Sequence, residues 1–190
     1  ALFFSFSATG HHQDAYYGTT PYLGKQQIAF GQLLWDKPAS ATHHLLTGLA
    51  LRYNYYDDNS TATLDTLDLS NRPEKYAIPG IFIQDEWKLH AKHLLLLGLR
   101  YDHHPIHKTI LTPRLAWKWS LQDGQTLRVN AGTGFRVVSL FTEEHAALTG
   151  ARSVEVKESL NPERSININL NYTRYHRWKN TSLNLDAALW

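Results

Sequence analysis

Apolar side chains return at every second position, stretch after stretch, along most of this chain. In "HLLLLGLRYDHH" (93–104), Leu95, Leu97, Leu99 and Tyr101 share one face, while Leu96, Gly98, Arg100 and Asp102 share the other. A period of two marks a strand, because successive side chains point to opposite sides of a sheet. The segment is too short for a membrane-spanning helix, which needs about 20 apolar residues. A strand buried on both faces would have little use for Arg100 and Asp102. The same alternation runs through "QTLRVNAGTGFR" (125–136), "RSININLNYT" (164–173) and "TSLNLDAALW" (181–190). It predicts nine strands, near 2–9, 27–36, 43–55, 80–89, 94–103, 110–120, 125–136, 163–175 and 180–190. One helical pattern competes, "TEEHAALTG", with Thr142 as a candidate N-cap, acids in the first turn and Gly150 as a stop. The expected fold is therefore all-β, an antiparallel up-and-down meander of about nine strands, with one short helix in a long loop.

The connections alternate in length. "KPASAT", "HAKH", "QDGQ" and "HRWKN" are turn-like, whereas the segments near 10–26, 57–79 and 137–162 are long and polar, with a shorter one at 104–109. Tight turns thus gather at one end of the sheet and most long loops at the other. A soluble sandwich has no reason to segregate its loops in this way, but a transmembrane β-barrel has short periplasmic turns and long extracellular loops. In that orientation Trp35, Trp87, Trp117, Trp119 and Tyr172 lie on the apolar face near the turn end, and Tyr53, Tyr55, Tyr101 and Phe135 lie near the loop end. Two aromatic belts with Leu and Ile between them match a bilayer and its interfaces. About ten residues at ~3.3 Å each, tilted by ~45°, cover roughly the 25 Å apolar band of an outer-membrane barrel.

Composition removes several classes. A net charge of +2 and the lack of any basic run argue against nucleic acid as a partner. No cysteine is present, so neither a disulfide framework nor a thiolate metal site is available. The N-terminal "ALFFSFSATG" lacks the basic start and cleavage site of a signal peptide. No nucleophile-elbow, zincin, Walker or dinucleotide pattern occurs, and neither enzymatic chemistry nor a cofactor is expected.

"GIFIQDEWKL" (80–89), "LLLLGLRYDHH" (94–104), "TPRLAWKWSL" (112–121), "LRVNAGTGFR" (127–136) and "LNPERSININLNY" (160–172), in this order and spacing, resemble the barrel of TonB-dependent outer-membrane receptors. "GTGFR", "TPRLAWKW" and "LNPERS" are the most specific elements, and "AYYGTTPYLGKQQIAFGQLLWDK" (15–37) is similar more loosely. The resemblance implies a barrel of about 22 strands, a plug domain in its lumen, and a peptide that couples transport to the TonB energy complex. It also implies energy-coupled uptake of a scarce ligand, such as a ferric siderophore, haem or cobalamin, across the bacterial outer membrane. No plug or TonB box is recognised here, so residues 1–190 are expected to form a barrel segment of a larger receptor. The expected partners are outer-membrane lipid, the plug, the TonB complex through the missing N-terminal part, and a small-molecule or metal-chelate ligand.

Candidate site residues follow from the face assignment. His103, His104 and His107 of "HHPIH" fall in an expected external loop, where they could touch a ferric complex or haem or simply be solvated. His43 and His44 fall at the periplasmic rim. Arg52, Arg100, Arg114, Arg128 and Arg136 alternate with apolar neighbours and should point into the lumen, because a charge at the bilayer midplane costs ~2–4 kcal/mol. Pairing with Asp102, Glu86 or plug carboxylates is one role; attraction of an anionic ligand is another, with Arg100 and Arg136 as candidates. Arg128, Asn130, Gly132 and Gly134 form an inner strip of small side-chain volume near inner Gly98, expected to face the plug or a passing ligand. "DDNS" (57–60) has oxygen ligands but lacks the Gly and distant Glu of a complete calcium loop, so no metal site is expected. Two other classes stay compatible with these residues, a soluble β-sheet ligand-binding module and an outer-membrane hydrolase.

Overall fold

The structure is a computed structural model that describes residues 1–60, 63–65, 68, 70–137 and 161–190. Nine strands form one sheet in chain order: β1 (Leu2–Tyr17), β2 (Thr20–Pro38), β3 (His43–Asp58), β4 (Glu74–His90), β5 (His93–His104), β6 (Lys108–Gln122), β7 (Gln125–Arg136), β8 (Glu163–Arg177) and β9 (Ser182–Leu189). Every neighbouring pair is antiparallel. The expected meander is therefore present strand for strand. The sheet is open, with β1 and β9 at its edges. The expected helix at 142–150 lies outside the described residues.

Register fixes the faces. Leu99 of β5 pairs with Ile83 of β4 and Pro113 of β6, and Leu97 pairs with Asp85 and Leu115. Carried across the sheet, one face collects Phe4, Leu33, Leu49, Ile81, Leu97, Leu115, Ile168 and Leu185, all of them exposed. The opposite face collects Asn54, Asp58, Asp102 and His104, all of them buried. Burial has thus changed sides relative to a water-soluble sheet, where the apolar face would be covered. A slip of one residue would exchange the two sets, so the alternation itself fixes register.

The tight turns occupy one end: residues 39–42, 91–92, 123–124 and 178–181. Gly124 (φ 74°) supplies the left-handed residue of the β6–β7 turn, and a Cβ there would lie 2.4 Å from the Tyr175 carbonyl oxygen. Segments 59–73 and 137–162 join strands at the other end. One expectation fails here. Residues 10–26, read as a long loop, continue β1 and β2 as paired strands as far as a two-residue turn at Gly18 (φ 65°) and Thr19. The first four strands run 16 to 19 residues, more than the roughly 9–11 that cross a bilayer. Their loop-end halves need no apolar face because water meets both sides, so the periodicity fades although the ladder does not.

Candidate functional site

The polar face narrows into two cavities that share Arg100. One, of about 460 Å³, is lined by Gln32, Gln84, Arg100, Arg114, Asn130 and Asn169, among others. The second, of about 540 Å³ and nearer the loop end, is lined by Phe30, Arg52, Tyr76, Arg100, Asp102 and Arg136, among others. Both are products of alternation, since inner positions of successive strands fall side by side.

Arg100 is held by two partners. Its Nε donates to Asp102 Oδ2 at 2.7 Å and its Nη2 to Asp102 Oδ1 at 2.6 Å, a bidentate pair. Its guanidinium also lies 5.9 Å from the centre of the Phe82 ring. Glycines make room for both partners. A Cβ on Gly80 would stand 2.4 Å from Asp102 Oδ1 and 2.9 Å from Arg100 Nη2, and one on Gly48 would stand 2.5 Å from Phe82 Cζ. Asp102 is only 1% exposed, so removing its partner would leave a buried charge. The pairing role foreseen for the inner arginines is therefore real for Arg100 and Asp102. Sequence reasoning missed the glycine and Phe82 support, because close approach between strands cannot be seen in a single strand.

The remaining arginines divide into paired and unpaired. Arg136 donates to Glu163 from Nε at 2.9 Å and from Nη2 at 3.1 Å, on an exposed site. Arg128 donates from Nη1 to Asn171 Oδ1 and Thr173 Oγ1, both at 3.3 Å. Arg52 and Arg114 meet no carboxylate among the described residues, and each lines one of the two cavities.

Of the three candidate histidines, His104 and His107 come together and His103 stands apart. His103 shares the outward parity of Tyr101 and is exposed. His104 turns inward and is 1% exposed. Its Nδ1 accepts the N–H of Ile106 at 3.2 Å and that of His107 at 3.3 Å, which closes the turn at 105–107, and its ring contacts Tyr76 and stacks on His107. His104 thus organises a turn. At the other end His44 pairs with Asp36, and His43 pairs with Asp85 and stacks on Trp87.

Asp57 and Asp58 are likewise engaged by protein donors. Asp58 Oδ2 accepts from the Tyr56 hydroxyl at 2.6 Å and Oδ1 from the Ser60 N–H and hydroxyl at 2.8 Å, while Asp57 accepts from Tyr55 and from Asn71. No group of three His, Asp or Glu side chains placed to hold a metal occurs among the described residues. In the same loop the Ser70 hydroxyl and N–H, with Arg72, hold the Asp68 carboxyl below its ordinary range.

The glycine strip is arranged differently from the sequence picture. Gly98 and Gly132 share a row, but Arg114 of β6 stands between them. A Cβ on Gly98 would meet Arg114 Cβ at 3.7 Å, and one on Gly132 would meet the Pro113 carbonyl oxygen at 3.4 Å, both ordinary contacts. Their own sheet therefore does not demand glycine at these two positions.

An exposed apolar face with rings of Trp and His at the turn end, backed by a polar face that buries Asn54, Asp102 and His104, defines the wall of a transmembrane β-barrel. The chain belongs to the TonB dependent receptor-like, beta-barrel family, whose model matches residues 2–190. It is 33% identical over 88 residues to the iron-regulated outer membrane virulence protein of Vibrio cholerae serotype O1, covering 45% of this chain and 14% of that protein. The ferric enterobactin receptor PfeA of Pseudomonas aeruginosa has the same fold (TM-score 0.60, 18% identity, 92% of this chain and 30% of that one). So does the siderophore receptor PirA of the same organism (0.62, 15%, 97% and 38%). The copper transporter OprC is a third structural relative (0.62, 15%, 93% and 33%). The chain spans about a seventh of the curated relative and about a third of the solved barrels. Its place is the bacterial outer membrane.

Proposed function

We propose that these nine strands are part of the wall of a larger receptor that takes up an anionic metal chelate, a ferric siderophore above all, with energy supplied through TonB. On this reading a plug domain fills the lumen against the polar face and carries the contact with the TonB complex. The observation that carries the ligand class is the cavity at the loop end. Two of its three arginines, Arg100 and Arg136, have carboxylate partners, and Arg52 has none among the described residues. An unpaired cation beside Tyr76 and Phe30 is suited to an anionic, partly aromatic ligand. The names of the iron-regulated Vibrio protein and of the two siderophore receptors support the same class.

The test is binding of a panel of ferric catecholates and hydroxamates to the receptor in outer-membrane vesicles. Arg52→Gln is expected to weaken the preferred anionic chelate about tenfold, equivalent to ~1.4 kcal/mol, and Arg136→Gln by less. Unchanged binding by Arg52→Gln, or equal affinity for uncharged ferric trihydroxamates, contradicts the assignment. For the plug, Gly132→Leu and Gly134→Leu are expected to leave assembly and surface binding intact while impairing uptake. Normal uptake by both variants would remove the strip from the plug interface.

A further inference from the structure

The outward face breaks its own rule near the turn end. Ile81, Ile83, Asp85 and Trp87 share the outward side of β4, so a carboxylate stands where the alternation calls for an apolar side chain. Its row partners are Leu45 and Leu97. Oδ2 pairs with His43 Nδ1 at 2.7 Å, and the His43 ring stacks on Trp87 with centroids 5.2 Å apart. Oδ1 is covered and has no donor among the described residues. A carboxylate oxygen without water or a donor is costly, and any arriving N–H relieves it. The χ2 torsion of Asp is broad, so a small rotation turns Oδ1 towards the groove that Asp85 itself lines.

That groove, about 650 Å³, crosses the outward face of β4 to β8. Ile83, Leu97, Leu99 and Leu115 line it on β4 to β6, and small Ala131, between Leu115 and Ile168 in their row, leaves room on β7. It runs from Asp85 towards Ile166, away from the ring of Trp87 and Trp117. On the far side of Leu45, in the same row, stands Lys37, whose Nζ lies 5.3 Å over the Trp35 ring. Two strand spacings, about 10 Å, separate Lys37 from Asp85 along this row. An anion and a cation at the level of the aromatic belt, with an apolar groove leading towards mid-membrane, complement a zwitterionic headgroup on acyl chains.

We propose that this outward cleft is a binding site for a phospholipid bearing a phosphate and a primary amine. The ammonium donates to Asp85, the phosphate lies over Leu45 within reach of Lys37, and the glycerol leads an acyl chain back past Asp85 into the groove on its other side. The primary amine is the discriminating feature, because a quaternary ammonium has no N–H to offer the unpartnered oxygen. The inference is independent of what the lumen transports.

The test uses the receptor purified from outer membranes and exchanged into nanodiscs of phosphatidylcholine with added phosphatidylethanolamine or phosphatidylglycerol, with bound lipid counted by native mass spectrometry. The wild type is expected to retain phosphatidylethanolamine about fivefold over phosphatidylcholine, and Asp85→Asn to lose most of that preference. Glu86→Gln, on the opposite face, should keep it. Equal retention of the two lipids by the wild type, a preference for phosphatidylglycerol, or an undiminished preference in Asp85→Asn each overturns the proposal. Should Asp85→Asn fail to assemble, the headgroup comparison on the wild type decides alone.

Discussion

Asp102 and Asp85 lie on adjacent strands, yet the wall treats them in opposite ways. Asp102 faces inward, is buried, and has both oxygens taken by one guanidinium in a space that Gly80 keeps open. Asp85 faces outward among leucines and isoleucines, with one oxygen on His43 and the other without a donor. The difference teaches that this sheet sorts side chains by the solvent each face meets, rather than by core and surface. Inside, Asp102 is desolvated and paired with Arg100 of its own strand, in space that the neighbouring strand's Gly80 leaves open. Outside, charge survives only at the aromatic belt, where it has access to headgroups.

The largest effect should come from putting a charge on the outward face above the belt. Leu99, 48% exposed, and Ile168, 65% exposed, are both outward. Replacing either with Arg is expected to destabilise membrane insertion by ~2–4 kcal/mol, against about 0.5 kcal/mol or less for Asn169→Arg on the inward face. Folding into liposomes followed by gel mobility measures this, and equal effects from both faces would break the comparison.

A methyl group should matter next, and only where the inner pair needs the space. Gly80→Ala forces Asp102 and Arg100 to shift and is expected to cost about 1–3 kcal/mol. Gly98→Ala meets only ordinary contacts and should be neutral or stabilising by up to ~1 kcal/mol. Thermal unfolding of the two variants in detergent separates them. If they behave alike, the Arg100–Asp102 pair is not held by the glycine.

The smallest effect belongs to the exposed inner pair. Both Arg136 and Glu163 are more than half exposed, so a double-mutant cycle with Arg136→Gln and Glu163→Gln should give a coupling below ~1 kcal/mol that fades with added salt. A coupling of several kcal/mol would mean that this pair is shielded like Arg100 and Asp102.

The nine strands, their faces and the turn end were legible in the sequence wherever lipid meets one side, because alternation is enforced there. The hairpin through residues 10–26 was not, since "HHQDAYYGTTPYLGKQ" is polar on both faces and its pairing rests on backbone hydrogen bonds and on Gly18. The inward direction of the arginines was legible from parity, but the fixed geometry of Arg100 depends on Gly48, Gly80 and Phe82 from other strands. His103, His104 and His107 looked equivalent in sequence. Parity separates His103 from His104, and the turn hydrogen bonds then engage His104. Asp85 was visible in "GIFIQDEWKL" as the one charge on an apolar parity, although nothing in that stretch reveals His43 as its partner.

The central claim is that one face meets lipid and the other an aqueous lumen. No cysteine occurs in the chain, so single cysteines at consecutive positions 95 to 102 give unambiguous spin-label sites in this segment. Accessibility to oxygen and to a water-soluble nickel complex should alternate with a period of two, oxygen dominating at Leu95, Leu97, Leu99 and Tyr101, and the nickel complex, where anything reaches, at Gly98 and Arg100. Water-like accessibility along the whole stretch, or an alternation of the opposite phase, would contradict the account.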